Sequence, residues 1–537
     1  MSRVFAVIVV VCLAAGLAAC GGGGSGLSTG SSGGSGSSGS GGSGGSGGTT
    51  AWTPGVYQPS SRFADKCASP RQGTSDVQGA AVDENNFLRS WTNELYLWYS
   101  EVTDVNPALY TMPDYFVTQK TMATTASGTQ KDRFHFTYAT SVWDSLSQAG
   151  VSVGYGALFM VNNNSPRTIT FSYVQAATQA QPGNPALAAG IVRGAAVQSI
   201  DNVSIQANDA PSLAILNAAL NPVSQGETHT FVILDRGASA ARTVTLQAVS
   251  FTESPVPIVT TVPVNNTQVG YILFNDHIAT SEQALISAVS FLKTQVIADL
   301  VLDIRYNGGG YLDIANELAY MVAGPAPTAG ATFEKIEFNA KNPSTNPVTG
   351  EALTPTMFHT TTQGFSTTAG QALPTLNLPR VFVLTGPDTC SASESIINSL
   401  RGIGVQVIQI GSTTCGKPYG FYPQDNCGTT YFSIQFQGVN NLGFGDYPDG
   451  FSPRNTNTTP APQANVALPG CSVADDFSHA LGDPNESLLS VALDYSTNAL
   501  CSVAPSGMGI QSIDHGSGAI AQLRTQSPLR QNRILRR

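Results

Sequence analysis

The spacing of hydrophobic and polar positions changes three times along the chain, and each change predicts a different kind of element. Phe87, Trp91, Leu95 and Trp98 recur at intervals of four, four and three, which puts them on one helix face and predicts an aromatic stripe packed into a core. From about 150 to 250 the apolar runs are short and β-like: Ala157 to Val161, Thr168 to Val174, Ala196 to Ile200, His229 to Leu234 and Thr243 to Ala248, around one helix at Ser212 to Leu220. Beyond 260, strands and helices alternate. Val269 to Phe274 reads as a strand, Leu285, Val289, Leu292 and Val296 as a helix face, Leu300 to Ile304 as an apolar strand apart from Asp303, and Leu312 to Val322 as a helix. Arg380 to Leu384, a helix from about Ser393 and Val405 to Ile410 continue the series, the pattern of a mostly parallel α/β layer. The expected division is a helical N-terminal region (51–148), a β-rich domain (149–252), an α/β domain (260–500) and a disordered basic tail (502–537) with five arginines from Arg524 onward.

A chain of 537 residues exceeds what one core usually serves, in keeping with several domains. Only 11% of residues are charged, so the surface is expected to be polar but uncharged. The net charge of −10 and the lack of a basic stripe in the folded region argue against nucleic acid as a partner.

The first twenty residues carry Arg3, an apolar run from Val4 to Ala19, and Cys20. That run is short for a membrane span, and its basic start and small-residue end predict an export signal over 1–20. Leu17-Ala18-Ala19-Cys20 resembles the bacterial lipobox, which implies lipidation of Cys20 and a stable anchor in the cell envelope. Gly21 after the cysteine points to the outer membrane, with the protein facing the periplasm or the exterior. An ordinary cleaved signal is the alternative. Residues 21–50 are nearly all Gly, Ser and Thr, a flexible tether with a span of roughly 30 Å.

Six cysteines follow the signal, an even number that favours disulfides in an exported chain. Cys390 and Cys415 flank the candidate chemistry, so a bridge between them is one candidate pairing. No metal-binding spacing is present, and no cofactor is implied. None of the six histidines sits in a catalytic motif; His277, after a strand end, is expected at the surface or in a hydrogen bond.

Ser391-Ala392-Ser393-Glu394 opens a helix after a strand. As Ser-x-x-Glu it is a capping box, with Ser391 as N-cap and Glu394 reaching back. A helix start also supplies unpaired N–H groups and a positive dipole end, which favour an oxyanion beside the serine. A serine hydroxyl needs a base to become a nucleophile. Lys417, with no acid within six residues, is a candidate, provided burial lowers its reference pKa near 10.4 enough to leave it neutral. A lone surface lysine in a loop is the competing reading.

Asp303-Ile304-Arg305-Tyr306-Asn307-Gly308-Gly309-Gly310, Ser391 through Glu394 and Gly411 through Lys417 resemble, in order, the three signature blocks of C-terminal processing (tail-specific) peptidases. The resemblance implies a ClpP/crotonase-like catalytic layer, Ser391 as nucleophile and Lys417 as general base. It also implies oxyanion N–H groups from Ala392 and from Gly309 or Gly310. Many members place a glutamine four residues after the lysine to orient it; here that position is Phe421, leaving Gln424 or Glu394 as candidates for the third catalytic role. Asn184-Pro185-Ala186, Ala189 to Gly194 and Val197 to Asn202 are similar to the PDZ pattern, with Ala195 where an acid is usual. That similarity implies a loop at Gly154, Tyr155 and Gly156 whose N–H groups capture the C-terminal carboxylate of an unfolded or flexible protein. A structural β domain without a ligand is the alternative. The function implied is an envelope-anchored serine endopeptidase; a catalytically silent peptide-binding adaptor on the same fold is the competing expectation. Ser290-Phe291-Leu292-Lys293 matches Ser-x-x-Lys formally, but Leu292 lies on the apolar face and no Lys-Thr-Gly follows.

Overall fold

The structure is a computed structural model that describes residues 52–149, 151–177, 183–455, 466–501 and 533–534. The signal, Cys20 and the 21–50 tether lie outside the described residues, as does most of the basic tail. The described residues fall within one compact unit.

At its centre is a six-stranded sheet in the order Ile258–Val264, Thr267–Leu273, Asp299–Asp303, Arg380–Thr385, Gln406–Gly411 and Gly470–Ser472. The first pair is antiparallel, and every later pair is parallel. Parallel strands are covered on both faces, which is why Leu300, Val301 and Leu302 follow one another without a polar break, Asp303 being paired with Arg305. The pleat divides that run between two cores. Leu300, Leu302, Val381 and Val383 face the helices Ser281–Thr294, Leu312–Ala323 and Ala392–Gly402, whereas Val301, Phe382 and Leu384 face the helix Ser487–Asn498. No helix among the described residues is long and apolar enough to cross a membrane.

The β-rich segment forms a separate antiparallel sheet in the order Arg242–Gln247, Thr228–Leu234, Ala196–Ile200, Thr168–Val174 and Ala157–Asn162. Its helix Ala210–Leu220 starts at Asp209, whose carboxylate accepts from the Ser212 N–H at 2.9 Å, with Pro211 in the first turn. A buried ionic network ties this sheet to the central one. Arg193 donates to Asp475 (2.6 Å) and to the Tyr306 hydroxyl, while the fully buried Arg305 donates to Asp303 (2.8 and 2.9 Å), Glu486 (2.6 and 3.0 Å) and Asp475 (2.9 Å).

Two helix faces end earlier than their spacing predicts. The N-terminal helix is Ala81–Leu95, with Phe87 and Trp91 buried, but Trp98 lies beyond its end. There the chain turns extended at Tyr96, whose hydroxyl donates to Asp132 (2.7 Å), and the Leu97 N–H donates to the Ile434 carbonyl (2.8 Å). Tertiary partners thus take the chain out of the helix. Val296 likewise lies past Thr294, at φ 51° and 84% exposed, so it belongs to a turn and not to the buried face of Leu285, Val289 and Leu292.

The N-terminal region also includes strands. Phe136–Ala139 pairs antiparallel with Thr429–Phe432, and Cys67 is bonded to Cys427. This region is therefore fastened to the segment that follows Lys417.

Candidate active site

Two crossover turns at the C-terminal ends of adjacent parallel strands meet in the interior, where α/β layers commonly hold their chemistry. The first leaves Asp299–Asp303 and runs through Asn307, Gly309 and Gly310 into the helix Leu312–Ala323. The second leaves Arg380–Thr385 and reaches Ser391 at the start of Ala392–Gly402. They are stitched together: the Thr389 hydroxyl donates to the Ile304 carbonyl (2.9 Å), and the Cys390 N–H (3.1 Å) and Ser393 hydroxyl (3.0 Å) both donate to the Asn307 carbonyl.

Ser391 has φ 62° and ψ −116°, a conformation that costs a non-glycine residue of order 1–3 kcal/mol and persists only where surroundings impose it. Its hydroxyl is buried and has no hydrogen-bond partner among the described residues. Only one half of the capping box therefore forms: the Ser391 N–H donates to Glu394 Oε2 at 3.0 Å, while the hydroxyl leaves the cap unmade. The side chain that would ordinarily close the helix start is instead held away from it.

Glu394 is the hub of the site. Besides Ser391, its carboxylate accepts from the N–H groups of Gly416 and Lys417 (both 2.8 Å) and from the Thr414 hydroxyl (2.5 Å). One oxygen thus holds the backbone of both Ser391 and Lys417. Burial pushes this carboxyl above the usual carboxylate range, and its four hydrogen bonds act in the opposite direction. The Cys390–Cys415 disulfide joins the same two loops, with a Cα separation of 5.2 Å. Cys390, Glu394 and Cys415 form the only His/Cys/Asp/Glu group close enough for a metal among the described residues, and both sulfurs are spent in that bond.

Lys417 is fully buried. Its Nζ lies 4.5 Å from the ring centre of Phe421 and 4.7 Å from that of Phe134. Phe421, standing where a glutamine was expected, presents a π face to the amine and packs on Phe432 (5.3 Å). Phe134 belongs to the N-terminal region and sequence spacing gave no sign of it; nor did it point to Arg133, which donates to the Cys415 carbonyl. Gln424 donates to the Asp425 carbonyl at 3.0 Å, in an antiparallel strand pair.

The glycine turn fits closely against the serine. A Cβ on Gly309 (φ 100°) would lie 2.8 Å from both the Cys390 carbonyl oxygen and Ser391 Cβ, so only glycine allows this approach. The Gly309 N–H donates to Asn307 Oδ1 at 3.0 Å. Asn307 Oδ1 also meets His277 Nδ1 (2.9 Å), and Asn307 Nδ2 donates to the Phe274 carbonyl (3.0 Å). His277 is buried, not at the surface, and burial brings its pKa down to about 3, so the ring is neutral. On its main chain, the His277 N–H donates to the Gly309 carbonyl (3.2 Å) and its carbonyl accepts from the Tyr311 N–H (2.9 Å). Asn307 is the residue that sequence reasoning missed here, although it stands inside a motif it had singled out.

Ser391, Ala392, Gly309, Gly310, Glu394 and Lys417 thus come together. Gly154 ends the strand Val151–Gly154, which pairs with Val249–Thr252, and Tyr155 and Gly156 connect it to Ala157–Asn162 in the β-rich segment: Tyr155 is buried in that segment's own core, its hydroxyl donates to the Ala219 carbonyl (3.0 Å), and the carbonyls of Tyr155 and Gly156 accept from Ala186 (3.0 Å) and Gln175 (2.8 Å).

Residues 268–421 match the model of peptidase family S41. No curated protein sequence matches the chain. Among solved structures, one described as an S41 protease from Bacteroides fragilis NCTC 9343 is 21% identical, covers 80% of this chain and 100% of its own, and has a TM-score of 0.53. A photosystem II D1 C-terminal processing protease is 18% identical over 70% of this chain and 92% of its own, with a TM-score of 0.41. Mature CPAF complexed with lactacystin is 12% identical over 69% and 92%, with a TM-score of 0.38. The mixed α/β fold is that of the Bacteroides protein, and residues 268–421, which match the model of peptidase family S41, hold the glycine turn, Ser391 and Lys417.

Proposed function

We propose that the chain is a serine endopeptidase that works through a Ser391–Lys417 dyad and an acyl-enzyme. Ser391 Oγ attacks the scissile carbonyl carbon, its proton passes to the Lys417 amine, and that proton then goes to the leaving amine as the C–N bond breaks. Water reverses the sequence to release the acyl group. The tetrahedral oxyanion is stabilised by the Ala392 N–H, at the positive end of the helix, and by the Gly310 N–H. Gly309 serves by its shape, since its own N–H is committed to Asn307. Glu394 positions both partners through their backbones.

The observation that carries this reading is Ser391 itself, a strained residue at a helix start with a buried, unpartnered hydroxyl. A capping serine would spend that hydroxyl on the helix. The same proposal includes recognition of flexible protein C-termini by the PDZ-like segment around Gly154, Tyr155 and Gly156, and tethering to the bacterial envelope through lipidated Cys20.

The test is hydrolysis of an unfolded protein, together with labelling by a serine-directed fluorophosphonate. Ser391→Ala is expected to remove labelling and lower kcat by about 10⁴-fold or more. Turnover that survives this change removes Ser391 from the mechanism. A wild-type chain that neither cleaves nor labels is instead a peptide-binding adaptor.

A further inference from the structure

The glycine turn has a second edge. Gly310–Tyr311 forms a two-residue strand that bridges to His277 on one side, a ladder that uses the Gly309 carbonyl and the Tyr311 N–H. In a parallel ladder that choice leaves the N–H and carbonyl of Gly310 facing the other way. There the chain's own Arg533–Ile534 lies parallel, with Gly310 opposite Arg533 and Tyr311 opposite Ile534. The same segment lies against Tyr419–Gly420, two residues beyond Lys417. It therefore runs between the turn that carries Gly310 and the loop that carries Lys417. Ser391 and Lys417 are both shut off from solvent in this structure.

We propose that Gly310–Tyr311 is the edge at which an extended peptide is taken up in parallel through its main chain, and that Arg533–Ile534 is a resident occupant that competes with substrate. The inference rests on the peptidase reading for its kinetic consequence and on the strand pairing alone for its binding consequence. Main-chain pairing at a strand edge is insensitive to side chains, so one edge serves both the chain's own segment and an unfolded protein. A segment on the same chain also meets the edge as an intramolecular partner, which favours even a weak two-residue pairing over dilute substrate.

The test uses the full chain carrying Ile534→Pro, which removes the N–H at one of the paired positions. The expected result is a KM for an unfolded protein lower by about fivefold, the factor of losing one main-chain hydrogen bond, with kcat unchanged. A fluorescein-labelled peptide of residues 528–537 added in trans should restore the wild-type KM. The same peptide with Ile534→Pro, identical in charge, should not. Equal KM values for the two chains, or equal binding of the two peptides, overturn the inference. If neither chain cleaves, the peptidase reading has failed separately. Fluorescence anisotropy of the two peptides on the Ile534→Pro chain then decides the strand site: tighter binding of the unsubstituted peptide supports it and equal binding sinks it.

Discussion

Glu394→Gln changes one atom in the centre of the site, and its cost can be worked out oxygen by oxygen. In the native protein Oε2 accepts from Ser391 and Lys417 N–H groups, and Oε1 accepts from the Gly416 N–H and the Thr414 hydroxyl. An amide has one acceptor end. If its oxygen takes the Ser391 and Lys417 pair, its NH₂ faces Thr414, whose hydroxyl can rotate to accept, and Gly416, whose N–H cannot. One donor is left unsatisfied at about 1–3 kcal/mol, and the surviving bonds lose the charge that made them worth about 1.5–3 kcal/mol each. Relief from burying a carboxylate offsets part of this, leaving a net loss of about 2–4 kcal/mol. Glu394→Ala abandons all four donors and should cost more than Glu394→Gln. Thermal unfolding should place the Gln variant a few degrees below wild type. Hydrolysis should fall by about 10²-fold or more through kcat, because the backbone of both partners moves. A Gln variant with wild-type Tm and kcat would refute the view that Glu394 clamps the two loops.

The remaining predictions probe the turn, the bridge and the buried charges. Gly309→Ala is expected to abolish hydrolysis while retaining much of the fold, since its methyl would displace Ser391 Cβ from 2.8 Å; circular dichroism and fluorophosphonate labelling check it, and normal labelling counts against the close approach. Replacing Cys390 and Cys415 by alanine removes a bridge across 25 residues, whose loop entropy is worth about 3.5 kcal/mol, and should lower both the denaturation midpoint and kcat. Glu486→Gln breaks the buried pairing to Arg305 and should cost about 3–5 kcal/mol in urea unfolding. Burial and the neighbouring Glu282 push the Glu317 carboxyl up to about 9 from 4.5, so between those values the folded chain holds a proton that the unfolded chain lacks. Stability should therefore fall as pH rises, by at most about 1.4 kcal/mol per unit, and Glu317→Gln should flatten that slope; parallel slopes in Tm measured from pH 5 to 9 would contradict it.

Strand and helix positions were legible where period alone decides. Thr168–Val174 and Ala196–Ile200 sit where their apolar runs end, and Leu300 to Ile304 is offset by one residue from Asp299–Asp303. Helix ends were less so, because Trp98 and Val296 continue a helical spacing by chance while tertiary partners or a positive φ end the helix. The glycine and serine turns were legible as motifs, since φ near 100° and a 2.8 Å approach leave glycine alone at 309. What the sequence withheld was everything set by long-range packing: that Glu394 reaches over twenty residues to Lys417, and that the lysine sits between an aromatic four residues on and another from 283 residues earlier.

That second aromatic changes how the N-terminal region is to be understood. It is bolted beside the site by Cys67–Cys427, by the Phe136–Ala139 strand against Thr429–Phe432, and by Arg133 on the Cys415 carbonyl. These contacts fall on the segment that begins at the disulfide beside Ser391 and runs past Lys417. Phe134 lies over the buried lysine amine as Phe421 does, and a ring face beside a buried amine attracts its cationic form by up to about 2 kcal/mol. The surroundings of the amine are thus built jointly by residues of the N-terminal region and of the S41 segment. An S41 segment cut out at residues 268–421 would lose Phe134, Arg133 and Phe432, on which Phe421 packs. It would keep Ser391 and Lys417 in sequence while losing part of the packing around the lysine.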